Sequence, residues 1–527
     1  MRTLISCLFS LFIANSFSQP GALDGVVKKL DVNIGGYDNK LVFLSQDIYS
    51  MEFEFKVFNI DAKKIERTIK FKPKLSSMIS TFIFKGSVGY AYYGGASMTD
   101  RISILSSDEK LYGMKEPAIV KINFETSEIV KEPFTFREKP YFSGVYPFFN
   151  PDSSSFGFYY LAKVSKKTGL LKVLLFDMNL KQTDEISFPV SFNRETGDFK
   201  EEVDKIMNVA YDNEKNIKVL FRHELEKKDR KALAKTYKYT FYEYDYGKKK
   251  IDSAEVLGSL KSHRDQINWV WDKDKKNCFI ATYLSAEPRA QQTGAHFEKY
   301  SGAGKSVIQK DFMFTLELMN KFRKDPSEQT HLADFRFDGF HITPSGNLYL
   351  VGESFEDLCN YGVYRDEFMY NSFDGGVSFG DGYGANQKIT SGPLMVFHLK
   401  NDMEVDWVKE FDKCLITTTD GGTRPDFQRG QKSFVKGEIL NIFFPDLLKN
   451  KNLIEGHPFT EKDSKTEGSG DKSGVFQLII NETGKAEKKL LYTDDKPVEA
   501  KDLLSYPVHF PCNKKYFFNF KTVVPVF

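Results

Sequence analysis

FHITPSGNLYLVGES, residues 340–354, reads as an apolar strand, a polar turn and a second apolar strand. Thr, Pro, Ser, Gly and Asn at 343–347 supply turn chemistry, and the flanks are rich in β-branched and aromatic residues. Three further stretches lie over it position by position: FFNPDSSSFGFYYLA at 148–162, VAYDNEKNIKVLFRH at 209–223 and WVWDKDKKNCFIATY at 269–283. Looser copies centre near Asp38, Gly86, Lys436 and Asn513, which makes eight such hairpins.

A second kind of hairpin alternates with the first. PAIVKINFETSEIVKE (117–132), KVLLFDMNLKQTDEI (172–186), MVFHLKNDMEVDWVKE (395–410) and VFQLIINETGKAEKKL (475–490) each pass from an alternating strand to a more charged one. Similar pairs are expected near Ile60, Tyr246 and Asn320, giving seven. Continuous apolarity suits a strand buried on both faces, whereas alternation and charge suit an outer, half-wet strand. The repeat is therefore an inner and an outer hairpin, a four-stranded antiparallel blade.

Seven such units read as an all-β protein, a β-propeller of seven blades, with eight as the alternative count. The closing hairpin from Leu504 to Lys521 has no outer hairpin after it. It is expected to pair with strands near the N-terminus, so that the ring leaves no open sheet edge. In such a meander of strands A to D, the A–B and C–D turns share one side of the disc and the B–C and D–A connections the other. The short turns all fall on the first side. The long connections, at 98–116, 288–310, 357–392, 414–432 and 448–473, with 191–204, fall on the second. Binding residues concentrate on long loops held by rigid scaffolds.

The succession of LYLVGESFED (348–357), a Gly- and aromatic-rich loop, PLMVFHLKNDMEVDWVKEF (393–411) and EILNIFFPDLLKN (438–450) resembles uncharacterised secreted propeller-like proteins of the Bacteroidota. The resemblance implies a fold and an exported location, and no site residues.

Residues 1–18 have the form of a secretory signal peptide: Arg2, an apolar run from Leu4 to Ala14, then Ser16 and Ser18. The chain from 19 to 527 is then a single exported propeller domain, periplasmic, at the cell surface or secreted. No later segment reaches the roughly 18 uncharged apolar residues of a membrane span, so no membrane insertion is expected. The formal charge of +2 gives no reason to expect nucleic acid. Beyond the leader, Cys278, Cys359, Cys414 and Cys512 remain. Topology brings Cys359 and Cys414 to the looped side of one blade, and these two are expected to form a disulfide.

YNSFDGGVSFGDGYG, 370–384, lies in the longest loop. Its Gly376-Val377-Ser378-Phe379-Gly380 matches a nucleophile elbow, which needs a strand before it and a helix after it. A glycine-rich loop and another strand follow instead. Asp374 and Asp381 stand seven apart, unlike the closely alternating oxygens of a calcium loop. No metal, cofactor or catalytic residue is assigned. What remains is a contact surface: Tyr370, Phe373, Phe379 and Tyr383, with Asp374 and Asp381, set among small polar residues. The expected function is non-catalytic binding of an envelope or extracellular protein or glycan through this side. The alternative is a polysaccharide hydrolase or lyase whose site is assembled from several loops.

Overall fold

The computed structural model describes most of residues 32–493, together with 505–508, 515–519 and 522–526. The stretches 1–31, 97–113, 192–204, 226–236, 322–334, 358–385, 421–430, 457–472 and 494–504, and some shorter connections, lie outside the described residues.

Blade 1 is β1 (Val32–Tyr37), β2 (Lys40–Gln46), β3 (Phe53–Asn59) and β4 (Lys64–Phe71). In blade 2 the first position is shared by β5 (Ser77–Ile79) and β6 (Ile83–Lys85), both paired to β7 (Val88–Ala96), and β8 (Met114–Asn123) and β9 (Ile129–Pro133) come next. Blade 3 is β10 (Tyr146–Phe149), β11 (Ser155–Lys163), β12 (Thr168–Asp177) and β13 (Gln182–Ser191). Blade 4 comprises β14 (Lys205–Tyr211), β15 (Ile217–Glu224), β16 (Tyr237–Asp245) and β17 (Lys250–Val256), and blade 5 β18 (His263–Trp271), β19 (Asn277–Ser285), β20 (Gln292–Ser301) and β21 (Lys305–Met313). A six-residue helix, α1 (Leu316–Lys321), leads towards blade 6: β22 (Phe335–Ile342), β23 (Leu348–Asp357), β24 (Asn386–Leu399) and β25 (Val405–Phe411), with β26 (Leu415–Asp420) also on β24. Blade 7 is β27 (Lys432–Lys436), β28 (Ile439–Leu447), β29 (Ser473–Ile480) and β30 (Ala486–Thr493). All pairings are antiparallel and, apart from β5 with β7 and β24 with β26, join chain neighbours; the first strands of successive blades meet, as β18 meets β22 and β22 meets β27. The fold is a β-propeller.

Strand position follows sequence character. In β12, one face (Leu171, Val173, Leu175) packs towards blade 4 and the other (Leu174, Phe176) towards blade 2, so its apolar run is buried twice over. The outermost β4, by contrast, alternates exposed and half-buried residues, with Lys64, Glu66 and Lys70 outward. Six buried clusters fill the six junctions between consecutive blades.

Seven of the short turns, at 123–128, 177–181, 212–216, 272–277, 343–347, 400–404 and 481–485, share one hydrogen-bond frame. In each, the first residue's N–H donates to the last carbonyl, and its carbonyl accepts from the N–H of the next-to-last residue, or at 272–277 from that of Lys275. The residue that donates this second bond has positive φ: Ser127, Leu180, Lys215, Lys275, Gly346, Met403 and Gly484. Asn123, Asp177, Asp212, Asp272 and Asn481 add side-chain oxygens that cap the turn's N–H groups. Every one lies on the same side of the disc.

Two expectations are corrected. The fifth outer hairpin is not near Asn320, which lies in α1, and 288–310 is no long loop: β20 and β21 occupy 292–313. His296 and Glu298 give β20 a polar look, yet both are buried. The C-terminal hairpin, β31 (Ser505–Val508) and β32 (Lys515–Asn519), takes β33 (Thr522–Val526) as its third strand and pairs with no N-terminal strand among the described residues. A partner three residues along the chain costs far less loop-closure entropy than one several hundred away.

Lys215 is exposed at φ 68°. Lys215→Gly should raise stability by roughly 0.5–1 kcal/mol, the left-handed cost less the entropy glycine adds to the unfolded chain. Urea denaturation checks this, and a loss of stability would refute the frame as the source of strain.

Candidate functional site

Blade 6 carries the feature that sets the looped side apart. Leu394 of β24 pairs with Phe411 of β25, and Ser391 with Leu415 of β26, so three residues, Asp412, Lys413 and Cys414, face two, Gly392 and Pro393. Strands β25 and β26 are thus one edge strand interrupted by a bulge. On the other flank Glu353 pairs with Leu394 but Phe355 with Ser391, a second irregularity at the same level. Proline, which lacks an N–H, is tolerated at such a bulge. Beyond it the ends of β23, β24 and β26 continue as a three-stranded ledge.

The ledge fixes the ends of two long connections. Asp357 pairs with Ile389, bounding 358–385, and Asn386 pairs with Asp420, so 421–430 begins beside the point where 358–385 returns. Expected loop limits change accordingly: 386–392 of the stretch 357–392, and 415–420 of 414–432, are strand. The 448–473 connection opens with a 3-10 turn at Leu448–Asn450 before leaving the described residues after 456.

A buried chain of polar groups lies under these loops. The Glu353 carboxylate holds the Lys413 ammonium and accepts from the Gln431 N–H at 3.3 Å, tying β23, the bulge and the start of β27 together. Lys413 is fully buried, its ammonium 5.7 Å from the Phe444 ring centre. Next to it, Asp446 of β28 accepts from Cys414 N at 3.2 Å, Leu447 N at 2.8 Å and Asn450 Nδ2 at 2.9 Å through Oδ1. Its Oδ2 takes the Lys488 ammonium at 2.9 Å. Lys488 also donates to the carbonyls of Asn450 at 3.0 Å, Leu453 at 3.2 Å and Asp412 at 3.4 Å, and lies over the Phe476 ring at 4.9 Å. Removing charges from water this deeply costs several kcal/mol per ion, and only dense pairing offsets it. Here Lys413 is paired by Glu353, and Glu353, Asp446 and Lys488 are each bonded to backbone that leads into a loop.

Of the residues singled out from sequence, Tyr370, Phe373, Asp374, Phe379, Asp381, Tyr383 and Cys359 lie outside the described residues. Cys414 is buried at the foot of the ledge, beside Asp446. Cys278 is a free, buried thiol whose pKa burial raises, which leaves it unreactive. Among the described residues no three His, Cys, Asp or Glu side chains group to hold a metal ion, and no helix is long and apolar enough to cross a membrane. Glu353, Lys413, Asp446 and Lys488 were not singled out from sequence. A signal was available for Glu353 and Asp446, each a lone charge in an apolar or aromatic strand, LYLVGES and NIFFPDLL, but not for Lys413 and Lys488, which stand among other charges.

No family model matches this chain, and no curated protein does. Solved structures with related topology include the WD40 domain of SCAP from fission yeast, 7% identical over 94% of this chain and 97% of that one, with a TM-score of 0.37. The β-propeller domain of the Trilobed protease from Pyrococcus furiosus is 12% identical over 80% and 97%, TM-score 0.29. A protein of unknown function from Bacteroides caccae is 11% identical over 71% and 89%, TM-score 0.24. Likeness at this level carries nothing about partners or chemistry.

Lys488→Met should cost about 3–5 kcal/mol, because Asp446 is left buried with an unpaired charge. Adding Asp446→Asn should restore part of the loss. Denaturant midpoints of the two variants check both, and equal instability would show that Lys488 acts through packing alone.

Proposed function

We propose that this protein is an exported, non-catalytic propeller that binds an envelope or extracellular protein or glycan through the looped side of blades 6 and 7. The observation that carries the reading is the common foundation of three long connections: 358–385, 421–430 and 457–472 leave adjoining strand ends above one buried charge network. The opposite side is finished with short, internally bonded turns. Rigid ends and variable tips are the arrangement of binding loops on other scaffolds. Tyr370, Phe373, Phe379 and Tyr383 are the proposed contacts, with Asp374 and Asp381 beside them. Aromatics of this kind supply large contact area at low entropic cost. Export rests on the form of residues 1–18 and on the resemblance to secreted propeller-like proteins of the Bacteroidota.

The test compares two altered proteins against native envelope extract and a glycan array. Replacing the four aromatics by Ala should weaken the captured interaction by about 30-fold or more per anchor, since such anchors often carry 2 kcal/mol or more. Replacing turn 246–249 on the opposite side should leave capture unchanged. Undiminished binding by the aromatic variant overturns the reading.

A further inference from the structure

On the face that β20 turns to blade 4 stand His296, Glu298 and Tyr300, at alternate positions. His296 is 3% exposed and Glu298 is wholly buried. One imidazole nitrogen, Nε2, lies 3.1 Å from Glu298 Oε1; the other, Nδ1, lies 2.5 Å from Oδ1 of Asp311 on β21. Asp311 is 57% exposed, so the row of groups runs from solvent into the junction. Glu298 Oε1 also accepts from Gln309 Nε2 at 3.0 Å. Glu298 Oε2 accepts the Tyr300 hydroxyl and, across the junction, the Leu257 N–H at 3.1 Å. Leu257 closes blade 4's outer strand at φ 57°, an unusual conformation for leucine. Glu298 therefore joins the two blades directly.

We propose that the junction between blades 4 and 5 is a pH-sensitive clasp, locked by His296 as an imidazolium between Glu298 and Asp311 and loosened when that proton leaves. A neutral imidazole donates through one nitrogen only, so one carboxylate must then face a lone pair. The buried Glu298 also loses its neighbouring cation. The groups turned towards His296 can be named for each packed element. Its own strand gives Glu298 and Tyr300, β21 gives Asp311, and its register partner on β19, Thr282, is uncharged. From blade 4, Tyr237 and Tyr239 share the buried cluster of this junction, and Arg222 lies over the Tyr237 ring at 4.3 Å. Burial opposes the charge on His296, but the hydrogen bonds and charges of Glu298 and Asp311 outweigh it and hold its pKa above the ordinary value. A folded pKa above the unfolded one contributes stability that is complete below about pH 6.5 and is lost as pH rises through the folded value. Acidic surroundings hold the clasp shut, and alkaline ones release it.

The test is a histidine Cε1 nuclear magnetic resonance titration of the full chain, with Asp311→Asn and His296→Gln alongside. One histidine should titrate above pH 6.5, vanish in His296→Gln and move down in Asp311→Asn, whose exposed position leaves folding intact. The wild-type melting temperature should also fall from pH 6 to pH 9 by more than that of Asp311→Asn. A His296 midpoint at or below 6.5, a midpoint unmoved by Asp311→Asn, or parallel melting curves across that range overturns the clasp. A purely structural histidine would give those parallel curves.

Discussion

Blades buried on both faces cannot stand alone, and the whole architecture answers that constraint. Strands such as β12 and β20 present large side chains to either side, and only another blade of similar breadth can cover them. Each junction is consequently rich in aromatic side chains; Tyr283 stacks on Phe337 across the junction of blades 5 and 6, and Phe156 on Phe176 within blade 3. Offset and edge-on aromatic pairs give such layers direction as well as bulk. Outer strands have only one face to bury, and their other face carries Lys and Glu, which also discourages pairing with foreign strands.

Polar ties then set how each blade meets the next. On the short-turn side, Lys40 reaches Glu125 at 2.6 Å, Lys218 reaches the Lys275 carbonyl at 2.5 Å, and Trp407 Nε1 reaches the Glu482 carbonyl at 2.7 Å. In every case a strand residue of one blade grips a turn of its successor. Turns held in this way have little room to vary. The looped side is built differently: its buried charges bind strand ends to the roots of the long connections rather than to the turns of a neighbouring blade.

Much of this organisation is written locally, and that portion was legible. Inner hairpins near Asp38, Gly86, Lys436 and Asn513 were found because turn chemistry and apolar flanks sit within fifteen residues. The short-turn and long-loop sides came from counting strands. Non-local choices were not legible. Lys413 finds Glu353 sixty positions away, and Lys488 finds Asp446 across forty-two, so nothing near either lysine in sequence marks it as buried. The same blindness turned β20 into a loop, since His296 and Glu298 look solvent-facing until Asp311 and Leu257 are placed beside them. At blade 6 the bulge at Lys413 was invisible, and with it the ledge, because strands β25 and β26 are separated by residues that resemble a turn.

Because each of the six described junctions joins a blade to its immediate successor in the chain, that part of the interior can be completed in the order of synthesis. Once an inner hairpin has emerged, the preceding blade already has the partner it needs, and little apolar surface has to wait for distant sequence. Growth of this kind keeps aggregation-prone intermediates short-lived. A translating ribosome would thus release the molecule one finished seam at a time, with the Lys218 and Trp407 grips acting as successive latches.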